Sequence, residues 1–131
     1  MKLVVVEDGS KLATQLWDTP HPIASSILAY PEGRAALAAA RRARRLTPAT
    51  HRDVVEDFDA TYAQLTLVGL DPALARRAGD LAAERGLRGY DAVHLASAML
   101  FGAPTTFVTW DVELRSAAYE CGLSVAPAKP G

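Results

Sequence analysis

Apolar and polar residues follow two different periods along this chain. Between residues 90 and 101, Val93, Ala96 and Leu100 recur every three or four positions, which is the period of an α-helix that buries one side. Residues 105–109 are instead threonine, phenylalanine and valine, a composition typical of a β-strand. The sequence therefore predicts a mixture of helices and short strands.

Capping residues predict where several helices begin and end. Thr47 precedes Pro48 and Asp71 precedes Pro72, and each pair combines a side-chain cap with a residue suited to the first helical position. Gly86 suits the left-handed residue that ends many helices. In chain order, the sequence predicts a helix from Ser25 or Ser26 to about 45, a helix from 48 to about 64, a strand over 65–70, a helix from 72 to near 86, a helix over 90–101, a strand over 105–109, a helix over 111–120 and a strand over 123–126.

The order of these elements predicts the fold class. Helices of ten or more residues separate most of the strands, and connections of that length join parallel strands. We therefore expect an α/β fold, a sandwich with a mostly parallel sheet and helices on both faces. A length of 131 residues suits a single domain, expected over 1–126 and followed by a flexible tail at 127–131.

Composition excludes several classes of protein. Hydrophobic residues make up 50% of the chain and charged residues 22%, which is typical of a globular protein and not of a disordered one. No apolar run approaches the roughly 18 residues of a membrane span, and the first ten residues do not resemble a signal peptide, so we expect a soluble, cytoplasmic protein. The single cysteine, Cys121, allows neither an internal disulfide nor a thiolate metal site.

Arginine is concentrated in one stretch although the net charge is only -1. One interpretation is that this basic band neutralises the acids that follow it at residues 53–59. The other is that it contacts the phosphates of a nucleic acid. The sequence alone does not decide between these two interpretations. The residues of the basic band are Arg34, Arg41, Arg42, Arg44, Arg45 and Arg52.

Three acids lie where a parallel sheet collects its ligands. Glu32 and Asp91 are expected near the starts of helices, and Asp111 directly follows a predicted strand. Carboxylate oxygens are suitable ligands for Mg²⁺ or Mn²⁺, and a bound ion activates water for attack on a phosphate. Taken singly, each acid is better explained as a helix cap than as a metal ligand.

Three segments carry a resemblance to a known family. They are ASSILAYPEGRAAL at 24–37, GLRGYDAVHLA at 86–96 and TFVTWD at 106–111. Together they resemble PIN-domain ribonucleases, most closely the toxins of VapBC-type toxin–antitoxin modules. The resemblance implies a PIN-like three-layer sandwich and a metal-dependent endoribonuclease that hydrolyses RNA, the toxin of a type II toxin–antitoxin system.

The resemblance also implies the site and the partners. Glu32 and Asp91 would be metal-site carboxylates for Mg²⁺ or Mn²⁺, and Asp111 would be the more variable last acid. The implied partners are an RNA substrate, a second copy of the chain, and a cognate antitoxin whose segment lies over the acidic site and places an arginine among the carboxylates.

The N-terminus departs from the family pattern. The family opens with a strand that ends in an aspartate, whereas residues 2–10 resemble the helix that follows that strand. The prediction is that the strand and its aspartate are missing here and lie upstream of Met1. The alternative is that residues 3–6 are the first strand and that Glu7 or Asp8 is its terminal acid.

The expected loss of an acid leaves other functions open. One is a non-catalytic or weakly active module that binds RNA or an antitoxin, and another is a nuclease that acts on DNA. Thr109 is expected to form a hydrogen bond near the site, and Arg34 to pair with a carboxylate or contact RNA. His94 is expected to be structural, and Tyr90 and Trp110 to pack and not to stack on bases.

Overall fold

The computed structural model describes residues 3–6, 23–101, 105–109 and 111–126. Within these ranges, the chain forms five strands and five helices. The strands are β1 (Leu3–Val6), β2 (Ile23–Ser26), β3 (Thr66–Val68), β4 (Thr105–Val108) and β5 (Ser124–Ala126). The helices are α1 (Ala29–Arg42), α2 (Pro48–Tyr62), α3 (Pro72–Arg85), α4 (Gly89–Met99) and α5 (Val112–Glu120).

The strands form one parallel sheet in the order β3-β2-β1-β4-β5. The register places Val5 of β1 opposite Ala24 of β2 and Phe107 of β4, and Ser25 of β2 opposite Leu67 of β3. Every pair of neighbouring strands is parallel, so the predicted α/β fold with a parallel sheet is confirmed.

The prediction of a missing first strand is wrong. Residues Leu3–Val6 form β1, which is the central strand of the sheet and pairs with both β2 and β4. The sequence Leu-Val-Val-Val is a continuous apolar run rich in β-branched residues, which is typical of a strand in the middle of a parallel sheet. Glu7 and Asp8 lie outside the described residues, so their assignment as the terminal acid stays a prediction.

The start of α1 also differs from the prediction. Ser25 and Ser26 belong to β2 and are buried, and α1 begins only at Ala29. The Ser26 hydroxyl accepts a hydrogen bond from the backbone N–H of Leu28 at 3.2 Å, so it stabilises the turn between β2 and α1 and is not a helix cap. The other end comes earlier than expected, at Arg42, because Arg44 adopts a positive φ of 60°.

The caps predicted for the other helices are confirmed. Thr47 accepts a hydrogen bond from Thr50 N–H at the start of α2, and Asp71 accepts one from Leu74 N–H at the start of α3. Gly86 ends α3 with a φ of 64°, in the left-handed region that glycine tolerates. Asp111 caps α5.

Helix α4 is the centre of the core. All residues from Asp91 to Ala98 are buried, and the helix packs against α3 and the sheet strands β2 and β4. Leu95 of α4 and Phe107 of β4 are fully buried. No helix in the described ranges is long and apolar enough to span a membrane.

Helices α1 and α2 pack at close range at one glycine. Gly33 of α1 is buried against the ring of Phe58 of α2, and a Cβ at this position would overlap that ring. Phe58 stacks on Tyr30, with ring centroids 5.5 Å apart. The glycine therefore allows the aromatic contact that fixes α2 against the first turns of α1.

Candidate active site

Asp91 and Asp111 lie on two sides of a single arginine. Asp91 is in the first turn of α4, and its Oδ2 accepts a hydrogen bond from Arg88 Nε at 2.9 Å. Asp111 Oδ2 lies 3.6 Å from Arg88 Nη2. Arg88 thus bridges two carboxylates that are 20 positions apart in the sequence, and it places them at the same edge of the sheet.

Asp111 is held by the loop that leaves β4. Its Oδ1 accepts a hydrogen bond from Leu114 N–H at 3.0 Å, which is the N-cap bond of α5. Its own backbone N–H donates to Thr109 Oγ1 at 3.1 Å. The two interpretations of this acid are therefore compatible, because one oxygen caps the helix while the other lies beside Arg88. Thr109 is itself fully buried, and its role in supporting the site stays a prediction.

Glu32 reaches the same helix through His94. His94 is fully buried, and its Nε2 lies 3.1 Å from Glu32 Oε2. His94 follows Asp91 by three residues, so the two side chains project from neighbouring positions of α4. This contact gives the buried histidine a structural partner, and it positions Glu32 on the face of α4 that also carries Asp91.

Two carboxylate oxygens of this group are buried without a partner. Glu32 Oε1 and Asp91 Oδ1 have no hydrogen-bond partner in the structure of the described residues. A buried carboxylate oxygen is destabilising unless a donor or a cation contacts it. Oxygen donors of this type fit Mg²⁺ or Mn²⁺. Across the described ranges, however, no three His, Cys, Asp or Glu side chains already approach one another closely enough to enclose an ion.

A cleft of about 400 Å³ gives access to the bridged pair. Arg88, Asp91 and Asp111 line it, together with the end of α3 and the first turn of α5.

Arg88 is a site residue that the sequence analysis does not identify. The signal was present, because an arginine three residues before an acid at a helix start is the spacing of an ion pair. The hydrogen bond to Asp91, followed by the negative charge of that carboxylate, raises the pKa of the Arg88 guanidinium above its ordinary value.

Comparison with known proteins decides the family. The family model described as "PIN domain" matches residues 3–118. This chain belongs to the PIN domain family. Ribonuclease VapC45 of Mycobacterium tuberculosis is 45% identical to this PIN domain over 130 residues, covering 98% of this chain and 90% of the relative.

Solved structures show the same fold at lower identity. PAE2754 from Pyrobaculum aerophilum has a TM-score of 0.69 at 23% identity, covering 89% of this chain and 84% of its own. VapBC-5 from Mycobacterium tuberculosis, a member of the VapBC family of toxin–antitoxin systems, has a TM-score of 0.65 at 20% identity, covering 94% of this chain and 96% of its own. The predicted resemblance and the predicted PIN fold are both confirmed.

Two further predictions for this PIN domain have different outcomes. Arg34 forms no direct ion pair within the described residues; its Nη1 donates to the Tyr30 hydroxyl at 2.9 Å, and that hydroxyl donates to Asp59 at 2.8 Å. The expected pairing with a carboxylate is therefore indirect and does not involve Glu32. Tyr90 has its ring 5.5 Å from the Arg88 guanidinium, so it packs on the arginine that bridges the acids. Trp110 lies outside the described residues.

Proposed function

We propose that this PIN domain is the toxin of a type II toxin–antitoxin pair and that it hydrolyses RNA phosphodiester bonds with Mg²⁺ or Mn²⁺. The observation that carries the proposal is that two buried carboxylate oxygens, Glu32 Oε1 and Asp91 Oδ1, have no hydrogen-bond partner among the described residues, and that Asp91 lines a cleft together with Asp111. The 45% identity to a protein named as a ribonuclease supports the substrate class.

Each polar residue has a role in this proposal. Glu32, Asp91 and Asp111 would hold the ion, and a bound ion polarises a phosphate oxygen and activates water for in-line attack. His94 orients Glu32 through its 3.1 Å contact. Thr109 orients Asp111 through the backbone N–H of that residue. Arg88 neutralises Asp91 and Asp111 until a cation competes for the same oxygens.

The proposed partners are a cognate antitoxin and a second copy of this chain. The bridging position of Arg88 shows that a guanidinium fits between Asp91 and Asp111. An arginine supplied by the antitoxin would act by the same chemistry, because bidentate contacts between arginine and carboxylate are strong and directional. Such a contact would cover the acids and inhibit the nuclease.

Removing the metal tests the nuclease proposal. We expect the purified protein to cleave a single-stranded RNA in Mn²⁺ or Mg²⁺, and to lose cleavage in excess EDTA, because in the proposed mechanism the bound ion activates the attacking water. The assay is gel electrophoresis of end-labelled RNA, with a DNA of the same base sequence as a control and with Mn²⁺ binding measured by calorimetry. Equal cleavage in EDTA would contradict the proposal, and Mn²⁺ binding without cleavage would indicate a binding module.

The arginines of the basic band favour contact with the RNA backbone. Arg41, Arg42, Arg44, Arg45 and Arg52 are exposed, and none of them forms an ion pair within the described ranges. In the described part of the chain, the acids at 53–59 form no ion pair with these arginines, and Asp59 accepts a hydrogen bond from Tyr30. Exposed arginines without an ion pair are suited to contact phosphates.

Salt dependence tests this surface. In a cleavage-deficient background, replacing Arg41 and Arg42 with alanine is expected to lower the salt slope of RNA binding by about 1.4, at about 0.7 for each phosphate contact to single-stranded RNA. The matched control replaces Arg76 and Arg77, an adjacent exposed pair on α3. If both double variants lower the salt slope equally, the basic band does not contact RNA more than other exposed arginines do.

A further inference from the structure

A second cleft lies along α5, beyond the first turn that Asp111 caps. It has a volume of about 1020 Å³ and is formed by the C-terminal half of α5, the turn at Gly122 and strand β5. None of its lining residues lines the cleft at Asp91. Nothing in the proposed nuclease function uses it.

Arg115 is the exceptional residue of this cleft. It lines the cleft, yet only 7% of its surface is exposed, and its Nε is buried without a hydrogen-bond partner. No ion pair with Arg115 is formed in the part of the chain that the structure describes. Guanidinium groups stay charged in proteins, and a buried unpaired charge is strongly destabilising. Among the described residues, therefore, no anion balances the buried charge of Arg115.

The acid nearest in the cleft does not supply that anion. Glu120 also lines the cleft, but its Oε2 lies 2.6 Å from Arg85 Nη1 on α3. Its negative charge is thus committed to another arginine.

The rest of the lining fits an extended peptide. Tyr119 is 69% exposed, and Leu123 and Val125 add apolar surface, while the hydroxyl groups of Ser116 and Ser124 offer hydrogen bonds. Strand β5 is at one end of the described sheet, where it pairs with β4. An edge strand has unpaired N–H and C=O groups that can bind another extended chain.

We propose that this cleft binds an extended, acidic segment of a partner protein, with a Glu or Asp side chain on Arg115 and the segment backbone along β5. The carboxylate satisfies the buried guanidinium, and the strand pairing supplies the direction of the segment. This site is separate from the proposed nuclease site, so it holds whether or not the domain cleaves RNA.

A pair of synthetic peptides tests the ligand class. The blocked peptides TVEVT and TVQVT differ only in the charge of the central side chain. In ¹⁵N NMR spectra of the full chain, TVEVT is expected to shift the Nε–Hε resonance of Arg115 and to bind at least tenfold more tightly than TVQVT, while the resonances of Arg76 and Arg77 stay in place. Equal binding of both peptides, or no binding, would overturn the proposal. If inorganic phosphate shifts the Arg115 resonance as much as TVEVT does, the cleft is a general anion site and the peptide proposal is wrong.

Replacing Arg115 with methionine separates binding from a structural role. Because methionine fills a similar volume without an unpaired charge, R115M is expected to raise Tm by about 3–5 °C and to abolish the preference for TVEVT. R115K keeps the charge but loses the planar fork, so its affinity for TVEVT should fall at least tenfold. A fall in Tm for R115M would mean that Arg115 stabilises the free fold, and this result would contradict the proposal.

Discussion

Replacing Asp91 with asparagine is expected to reduce RNA cleavage at least about a hundredfold while leaving the fold intact. Asparagine has the same size and keeps an oxygen that accepts the hydrogen bond from Arg88 Nε, so the packing of α4 is preserved. It removes the negative charge and one of the two carboxylate oxygens. Because the Arg88 side chain is 66% exposed, water can solvate the guanidinium when its charged partner is lost.

The measurement compares D91N with a matched variant on the neighbouring helix. Asp80 of α3 is an exposed aspartate outside the candidate site, and D80N carries the same change of charge. We expect D80N to cleave RNA at the rate of the unmodified protein and to bind Mn²⁺ equally, whereas D91N loses both properties. Circular dichroism melting checks that both variants fold. Wild-type cleavage by D91N would refute the assignment of Asp91.

The local features of the fold could be predicted because they depend on neighbouring residues. The caps at Thr47, Asp71 and Asp111 and the helix end at Gly86 involve hydrogen bonds or φ angles within a few positions. Short parallel strands have a weaker local signal, since their hydrogen-bond partners come from distant parts of the chain. The β-branched and aromatic composition of β4 is enough to predict it, whereas Ser25 and Ser26 of β2 also suit a helix cap. The apolar run of β1 carries a strand signal, but the family resemblance assigns it to a helix.

The candidate site could be predicted only in part. Glu32, Asp91 and Asp111 are recognisable from their motifs, but their contacts are tertiary: Glu32 meets His94 across 62 positions. The bridge from Arg88 to Asp111 and the burial of Arg115 likewise depend on how α4, α5 and β5 pack. Sequence spacing gives residue types near helix starts, whereas burial and unpaired oxygens appear only in three dimensions.

The central position of β1 changes the expectation for the first acid. Strand β1 lies between β2 and β4, and all three strands are parallel, so their carboxyl ends lie at the same edge of the sheet. The chain leads from the end of β2 to Glu32 and from the end of β4 to Asp111. The hypothesis that the aspartate of the family pattern lies upstream of Met1 requires that the first strand is missing. Because β1 is present, the alternative that Glu7 or Asp8 is the terminal acid of this strand is the stronger hypothesis.

Truncating Phe107 to alanine is expected to destabilise the protein by about 3–5 kcal/mol, the cost of removing a fully buried aromatic side chain. Phe107 is 0% exposed and lies on β4 between Val5 of β1 and Val125 of β5. A domain of this size is stable by about 5–15 kcal/mol, so the variant loses a large share of its free energy of unfolding. Urea unfolding followed by circular dichroism measures the difference.

The control for this prediction is L67A on the edge strand β3. Leu67 is 41% exposed, so its truncation is expected to cost about 1 kcal/mol or less, since only part of its surface leaves water on folding. Strand β4 leads directly to Thr109 and Asp111, so unfolding of β4 should also abolish RNA cleavage. We therefore expect F107A to lose cleavage at a lower temperature than the unmodified protein. Below its unfolding temperature, the cleavage rate of F107A should be close to that of the unmodified protein. If F107A unfolds at the same urea concentration as L67A, β4 is not part of the tightly packed core and cannot be what holds Asp111 in position.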